Sequence, residues 1–438
     1  MIWHTIKFGL SFLLPTFYKR IQSKGVSNLL RKGPVIIAMN HPNAFTDPIA
    51  LTYATASIRL KYLARGDAFK PGLISTLLEW IGIVPIYRMR DGGKEGLKKN
   101  DESYRRVNEL LAKNSKIIVF AEGLCVQERR LRPLKKGVSR MVFGAFDYLK
   151  NNELCVVPVG VNYDKADKFR SNVFYNIGEP IFVKDFMPVY EENQAKANIQ
   201  FLQALEPKMK ELITHINDPE NDEVVEYIEI LCKEAFLKKE GWNRDNLYHD
   251  FLITKQITDI VNRAANTHQA QLNDFKLKAA FYFGELEKNK LRDWLLNPHY
   301  SGLINYAHLA IRIFVLIVTS PVYLIGLIGN FFQLFFIHWL TKKMIKNVEF
   351  YSSIAIGLGM FVFPIVYTIW FLIINYLSNN IWIGLAGLFA FALSGWFCLY
   401  YHPFLLKTMG IIRILHNKSK TEALKIQRKV LIELINKF

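Results

Sequence analysis

Cysteine is scarce: Cys125, Cys155, Cys232 and Cys398 are the only four in 438 residues. Their spacing excludes a metal knuckle and a dense disulfide framework, and reduced thiols in or facing a cytoplasm are the simplest reading. Acidic residues are also under-represented, 38 against 56 lysines and arginines, for a net charge of +18. Such a surplus favours an anionic partner: nucleic acid, an anionic membrane, or a phosphorylated substrate. No zinc-finger or RNA-recognition pattern is present, which sets nucleic acid aside. The opening stretch MIWHTIKFGLSFLLPTFYKR lacks a small-residue cleavage site, and its apolar core is too short to span a bilayer. It reads as an interfacial helix, with Trp3, Phe8, Phe12 and Leu13 in lipid and Lys19 and Arg20 at the headgroups. A helix packed on the following domain is the alternative. Finally, formal charge is missing from Ile313 to Leu340 and from Phe350 to Leu406. These stretches make the membrane the favoured anionic partner.

What the first half does contain is a regular alternation. Apolar runs at 34–40, 60–64, 81–87, 116–121 and 154–161 read as strands, and helical patterns at 49–56, 69–80, 94–114 and 136–150 separate them. Strands apolar on both faces and divided by helices predict an α/β fold, a mostly parallel sheet flanked by helices. A last strand and a Gly-Glu-Pro turn fall in 172–185, a closing helix spans 191–216, and the polar run 217–221 marks a boundary.

In such sheets ligands gather at the carboxyl ends of strands, and three chemically capable residues fall there. His41 follows the first run, Arg88 the third and Glu122 the fourth. Asp47 closes the short loop after His41, within reach of an imidazole nitrogen, so that the other nitrogen is free to act as a base. Asp47 as an ordinary helix-capping turn residue is the competing reading.

Asn40-His41 with Asp47, then Gly82 to Arg88, Phe120-Ala-Glu-Gly123 and Val157-Pro158-Val-Gly160 stand in one order. This resembles the four blocks of the glycerolipid acyltransferase superfamily, and Leu134-Lys-Lys-Gly137 looks like the continuation of its third block. The resemblance implies acyl transfer from a thioester (acyl-CoA or acyl-carrier protein as co-substrate, no cofactor, no metal) to a glycerol-phosphate acceptor. His41 would take the acceptor proton and Asp47 would orient the imidazole. Arg88 would bind the acceptor phosphate through its guanidinium fork. Glu122 and Gly123 would place the acceptor, with Lys135 and Lys136 beside them, and Pro158 would lie on the donor side. The cluster Arg129, Arg130, Arg132, Lys135, Lys136 and Arg140 is either a solvated helix start or a holder of phosphate or anionic headgroups. Cys125 reads as a passive thiol.

Two positions depart from the family pattern. The loop from Pro42 to Thr46 is one residue longer than usual between histidine and aspartate, and Ala121 stands where proline is commoner. On an ideal helical turn one residue rotates Asp47 by about 100°, so the pairing requires the loop to bulge.

The expected organisation is an interfacial helix (1–30), an acyltransferase domain (31–217), a helical linker module (218–300), a membrane domain (301–406) and a basic amphipathic tail (407–438). Spans are expected near 352–374 and 381–403. The stretch 313–340 is too long for one comfortable span, is interrupted by Pro321 and Gly329-Asn330, and reads as a re-entrant hairpin in preference to a crossing. That arrangement keeps Lys342, Lys343, Lys346, Lys407 and Arg413 on the cytoplasmic face with the catalytic domain. The tail, with Ala423, Ile426, Val430 and Leu434 set among Lys425, Arg428 and Lys429, suits an anionic bilayer surface or self-association. The organisation is similar to that of fungal-type glycerol-3-phosphate/dihydroxyacetone-phosphate acyltransferases, which implies an integral membrane enzyme of phosphatidic acid synthesis. Second acylation of 1-acylglycerol 3-phosphate, lysophospholipid transacylation, a non-catalytic lipid-binding relative and a transporter with a soluble regulatory domain are the rivals.

Overall fold

A computed structural model describes residues 2–55, 58, 60–66, 82–86, 89–301 and 305–438. It divides into two compact units. The first comprises residues 1–215 with two later segments, 245–252 and 345–356; the second comprises 216–244, 253–344 and 357–438.

The first unit is built on an eight-stranded sheet, counted among the described residues. Its strands are β1 (Arg20–Lys24), β2 (Val35–Met39), β3 (Leu60–Arg65), β4 (Ile83–Ile86), β5 (Lys116–Phe120), β6 (Cys155–Tyr163), β7 (Asn172–Ile177) and β8 (Ile181–Phe182). The order is β1-β7-β6-β2-β5-β3-β4, with β8 on β6. β6 runs antiparallel to β7 and β8, and every other pairing is parallel. One face carries α1 (Ile2–Phe17), α2 (Ser27–Leu30) and α3 (Thr46–Ala54), packed on Val35, Ile37, Met39, Val157 and Val159. Residues Ile36, Ala38, Ile117, Val119 and Val156 meet α4 (Met89–Ala112), α5 (Lys136–Leu149) and α7 (Gln194–Glu211) on the other. The short α6 (Met187–Glu192) leads into α7. Burial on both faces explains why β2 is apolar at all five positions.

The N-terminal region differs from its expected form. Phe8 and Phe12 are exposed, as an interfacial helix requires, but Leu14 and Tyr18 are fully buried in the unit's core. The helix ends at Phe17, and residues 20–24 form β1. Arg20 is not a headgroup residue: it pairs with Asp245. Gln22 bonds the backbone of Asp245 and Leu247, and Lys24 stands 3.3 Å over the Tyr248 ring. Segment 245–252 thus covers an edge strand that carries too little apolar patterning to announce itself.

The second unit is helical. α8 (Asp222–Lys239), the body of α9 (Leu247–Thr267), α10 (Gln269–Lys288) and α15 (Lys418–Ile435) share one core with the end of α14 (Ile381–His416), and α11 (Pro298–Ser301) precedes the long apolar helices. Two corrections belong here. In the tail helix α15 the face with Ala423, Ile426 and Val430 is exposed, but another face is packed in the core: Leu424, Leu431 and Ile435 are buried, and Arg428, expected among the surface charges, is bonded to Asp293 at 2.9 and 3.2 Å. The stretch 313–340 is not a re-entrant hairpin, because α12 runs unbroken from Tyr306 to Met344. Asn330 does not break it, since its amide bonds the carbonyls of Gly326 (2.8 Å) and Phe391 (3.0 Å). Pro321 is accommodated within the helix. Among the described residues three helices are long and apolar enough to cross a membrane, α12, α13 (Tyr351–Ser378) and α14. α12 pairs antiparallel with α14, Arg312 meeting Thr408 and Asn330 meeting Phe391. Three simple successive crossings would have made that pair parallel.

Candidate active site

The register of the parallel strands assembles the site. Met39 of β2 pairs with Phe120 of β5, so His41 and Glu122 each lie two residues beyond a matched strand end. Asn40 prolongs the ladder with its side chain: its amide donates to Val161 O at 3.1 Å and accepts from Val161 N–H at 2.8 Å. The backbone is thereby held to β6 at the point where it turns. His41 stacks face to face on Phe120, with centroids 3.5 Å apart, and its carbonyl accepts the Val126 N–H.

His41 Nδ1 and Asp47 Oδ2 are 2.9 Å apart. The extra residue is taken up by a tight turn at 43–46, where Thr46 and Asp47 N–H both donate to Asn43 O and Ala44 adopts φ +26°. Helix α3 starts only at Thr46. Asp47 has no exposed surface, and its carboxylate collects three partners. Besides His41, Asn43 N–H donates to Oδ2 at 2.8 Å and the Tyr163 hydroxyl to Oδ1 at 2.6 Å. Tyr175 OH donates to the Asp47 carbonyl at 2.8 Å. Burial, and then the Asp47 charge, push both tyrosine hydroxyls well above their ordinary pKa, so they serve as neutral donors. An acceptor already holding two other donors orients His41 with Nδ1–H toward it, leaving the Nε2 lone pair for a substrate proton.

Glu122 is buried beside this pair. Its carboxylate accepts the backbone N–H of Arg132 at 3.2 Å and also bonds the His41 backbone. Burial dominates over these bonds and raises its pKa to about 7. Gly123 follows with φ +64°, a conformation that disfavours a side chain, and a Cβ there would crowd Lys135 Cγ at 3.1 Å. Lys135 N–H donates to Ala121 O, and Lys136 opens α5; both side chains are exposed. In the neighbouring basic cluster, Arg132 makes two bonds to Glu128, at 3.1 and 2.7 Å, and Arg130 lies 3.6 Å from the same carboxylate. Glu128 therefore neutralises part of the expected anion site. Cys125 Sγ accepts the Ala44 N–H at 3.0 Å, and burial raises its thiol pKa, which keeps it a passive partner of the loop.

The other expected residues stand apart. Pro158 pairs with Ala38 inside the sheet, and strand alternation puts it on the face opposite Val159, Val161 and Tyr163. There its ring adjoins the positions of Gly178 and Leu212. Gly160 on the same face lies so close to α7 that a Cβ would come within 2.2 Å of Leu212 O. Arg88 lies outside the described residues, as does the expected helix 69–80. Tyr163, Tyr175 and Asn43 were not singled out from the sequence. The available signal was a tyrosine ending a strand otherwise free of hydrogen-bonding side chains until Asn162. Among the described residues no group of three or more His, Cys, Asp or Glu is placed to hold a metal ion.

Residues 20–162 match the model of the Acyltransferase family. Over 146 residues the chain is 33% identical to Glycerol-3-phosphate O-acyltransferase 1 of Saccharomyces cerevisiae, covering 32% of this chain and 19% of the yeast protein. It is 20% identical over 282 residues to an uncharacterized acyltransferase of Schizosaccharomyces pombe, covering 45% of this chain and 42% of that one. The crystal structure of the 1-acyl-sn-glycerophosphate acyltransferase PlsC from Thermotoga maritima aligns with a TM-score of 0.34 at 18% identity, over 47% of this chain and 77% of that one. The chain thus spans less than half the length of these two curated relatives.

Proposed function

We propose that the chain is a membrane-bound O-acyltransferase that moves a fatty acyl group from an acyl thioester to a hydroxyl of glycerol 3-phosphate or dihydroxyacetone phosphate. The observation that carries this reading is the His41–Asp47 pair at 2.9 Å, set in a segment that matches the Acyltransferase family. The acceptor hydroxyl attacks the thioester carbonyl while His41 Nε2 takes its proton. Asp47, fixed by Tyr163 and Asn43, stabilises the resulting imidazolium. Collapse of the tetrahedral intermediate breaks the C–S bond, and the imidazolium returns its proton to the departing thiolate. The products are the acyl ester and the free thiol. General-base assistance of this kind contributes roughly 10²–10⁴ in rate.

Glu122, Gly123, Lys135 and Lys136 form the wall on which the acceptor is placed, with Arg88 as its phosphate ligand. The preference for a first acylation draws on the similarity to the yeast glycerol-3-phosphate enzyme. The site of the reaction is taken to be a bilayer, with the acyl-transfer domain on its cytoplasmic face; the helices long and apolar enough to cross a membrane support the first part of this reading. Purified full-length protein should be assayed with glycerol 3-phosphate, dihydroxyacetone phosphate and 1-acylglycerol 3-phosphate, each against acyl-CoA and acyl-carrier protein. Turnover of one of the two unacylated acceptors is expected. Exclusive use of the 1-acyl form would reassign the step, and no turnover of any pair would overturn the reading.

A further inference from the structure

The loop between His41 and Asp47 is held from a distant part of the chain. We propose that Ser352 and Ser353, in the first turn of the apolar helix α13, are positioning residues of the acyl-transfer site; this rests on the function proposed above. Both lie within the first unit, in its segment 345–356. Ser352 is fully buried, and its hydroxyl donates to Asn43 Oδ1 at 2.5 Å. The donors of Asn43 are all used: its side-chain NH₂ donates to the Tyr18 hydroxyl at 3.0 Å and to Ala166 O at 2.9 Å, and its backbone N–H donates to Asp47 Oδ2 at 2.8 Å. A continuous relay therefore runs from Ser352 through Asn43 and Asp47 to His41. Ser353 holds the other end of the turn. Its Oγ accepts the Thr46 N–H at 3.1 Å and lies 2.9 Å from Thr46 Oγ1. Phe350 meets Phe45 edge to face at 6.4 Å, and Ile356 enters the core that contains Met39, Ala50 and Leu51.

The physical need for such a clamp follows from the longer loop. With one residue too many for a helical turn and Ala44 at φ +26°, the loop has local alternatives in which Asp47 swings off the imidazole. Its own internal bonds, with those of Asn43 to Tyr18 and Ala166 and of Ala44 to Cys125, fix the turn, and Ser352 and Ser353 add a tie from both Asn43 and Thr46 to the first turn of α13. Hydroxyls in the first turn of a membrane-type helix are used here on the loop rather than on the helix itself. The consequence is that acyl transfer depends on the seating of segment 345–356 of the first unit as well as on the sheet.

The test uses the full-length protein and the variants Ser352→Ala, Ser353→Ala, the double alanine variant and Ser353→Thr. A misplacement near 1 Å costs on the order of 10² in rate, so kcat of the double variant should fall by about that factor. KM for the acceptor should stay within about twofold, as expected when the lost interaction acts on the transition state. Ser353→Thr keeps the hydroxyl and should retain most of kcat. In parallel, amide hydrogen exchange of peptide 41–47 should accelerate in the double variant while β2 and β5 keep their protection. An unchanged kcat, a threonine variant as impaired as the alanine one, or unchanged exchange in 41–47 would overturn the proposal. Were the wild type to turn over no acceptor, the function proposed above would fail, and the exchange measurement would still decide whether the serines hold the loop.

Discussion

Two buried carboxylates, one in each unit, show how the same side chain serves opposite ends. Asp47 is bonded by a histidine, a backbone N–H and a tyrosine; Asp293 is bonded by an arginine and a tyrosine. Burial raises the pKa of Asp293, and the Arg428 guanidinium opposes it. That pair is closed, because Arg428 gives its remaining contact to Leu231 O and keeps only 5% of its exposure. The Asp47 pair is open, since an imidazole has a second nitrogen and His41 keeps 15% of its side-chain exposure at the end of β2. Burial of a charged pair therefore does not identify a site; what distinguishes Asp47 is a titratable partner with one nitrogen left over.

The contrast breaks most sharply at His41. His41→Ala should lower acyl transfer by about 10³-fold or more in a turnover assay, in line with loss of general-base help, with membrane association unchanged in a flotation assay. Arg428→Met should leave the per-molecule rate alone but destabilise the helical unit by about 3–5 kcal/mol, since it strands Asp293 in the core. Denaturant melts should show most of that loss recovered in the double variant Asp293→Asn, Arg428→Met. Tyr163→Phe removes one donor from Asp47 Oδ1 and should lower kcat about tenfold, an effect matching ~1–2 kcal/mol for a charge-assisted bond.

A pH-dependent effect concerns Glu122. Its folded pKa, raised by burial to about 7, means the native state holds a proton that the unfolded chain releases near 4.5. Its contribution to stability is therefore full below pH 4.5 and is lost as pH rises toward 7. Glu122→Gln should remove this slope, so the melting temperature of the variant should gain on the wild type between about pH 5 and 8. A parallel pair of curves would mean that Glu122 is not buried as described.

The strand ends and the His41–Asp47 pair were legible in the sequence because apolar runs stop abruptly at polar residues. Asn40, His41 and Glu122 mark those stops, and the parallel register then brings them level. Other features were hidden for physical reasons. β1, RIQSK, is an edge strand whose covering segment lies more than 200 residues away, so no local alternation reveals it. In 418–435 the pattern suggests Ala423, Ile426, Val430 and Leu434 as the buried face, yet Ala423, Ile426 and Val430 are exposed and the stripe Leu424, Leu431 and Ile435 faces the helical core, disguised in the sequence by the buried Arg428 that interrupts it. Pro321 and Gly329-Asn330 resembled a break. Yet Gly329 lets Phe391 approach so closely that a Cβ would fall 2.5 Å from its ring, and the adjacent Asn330 amide is bonded within the helix pair. Tyr163 gave no more than its place at a strand end and Ser352 gave no signal, because their roles depend on tertiary contacts with Asp47 and Asn43.

The proposed chemistry depends most on the longer loop still delivering Asp47 to the imidazole. Asp47→Asn keeps the shape but offers His41 Nδ1 a side chain that no longer favours its protonated form. The deciding measurement is kcat of this variant with the preferred acceptor, on protein whose thermal melt shows it folded. A fall of roughly 10²–10⁴ with little change in KM is the predicted result. A kcat within about twofold of wild type would contradict the assignment and leave Asp47 a structural residue of the turn.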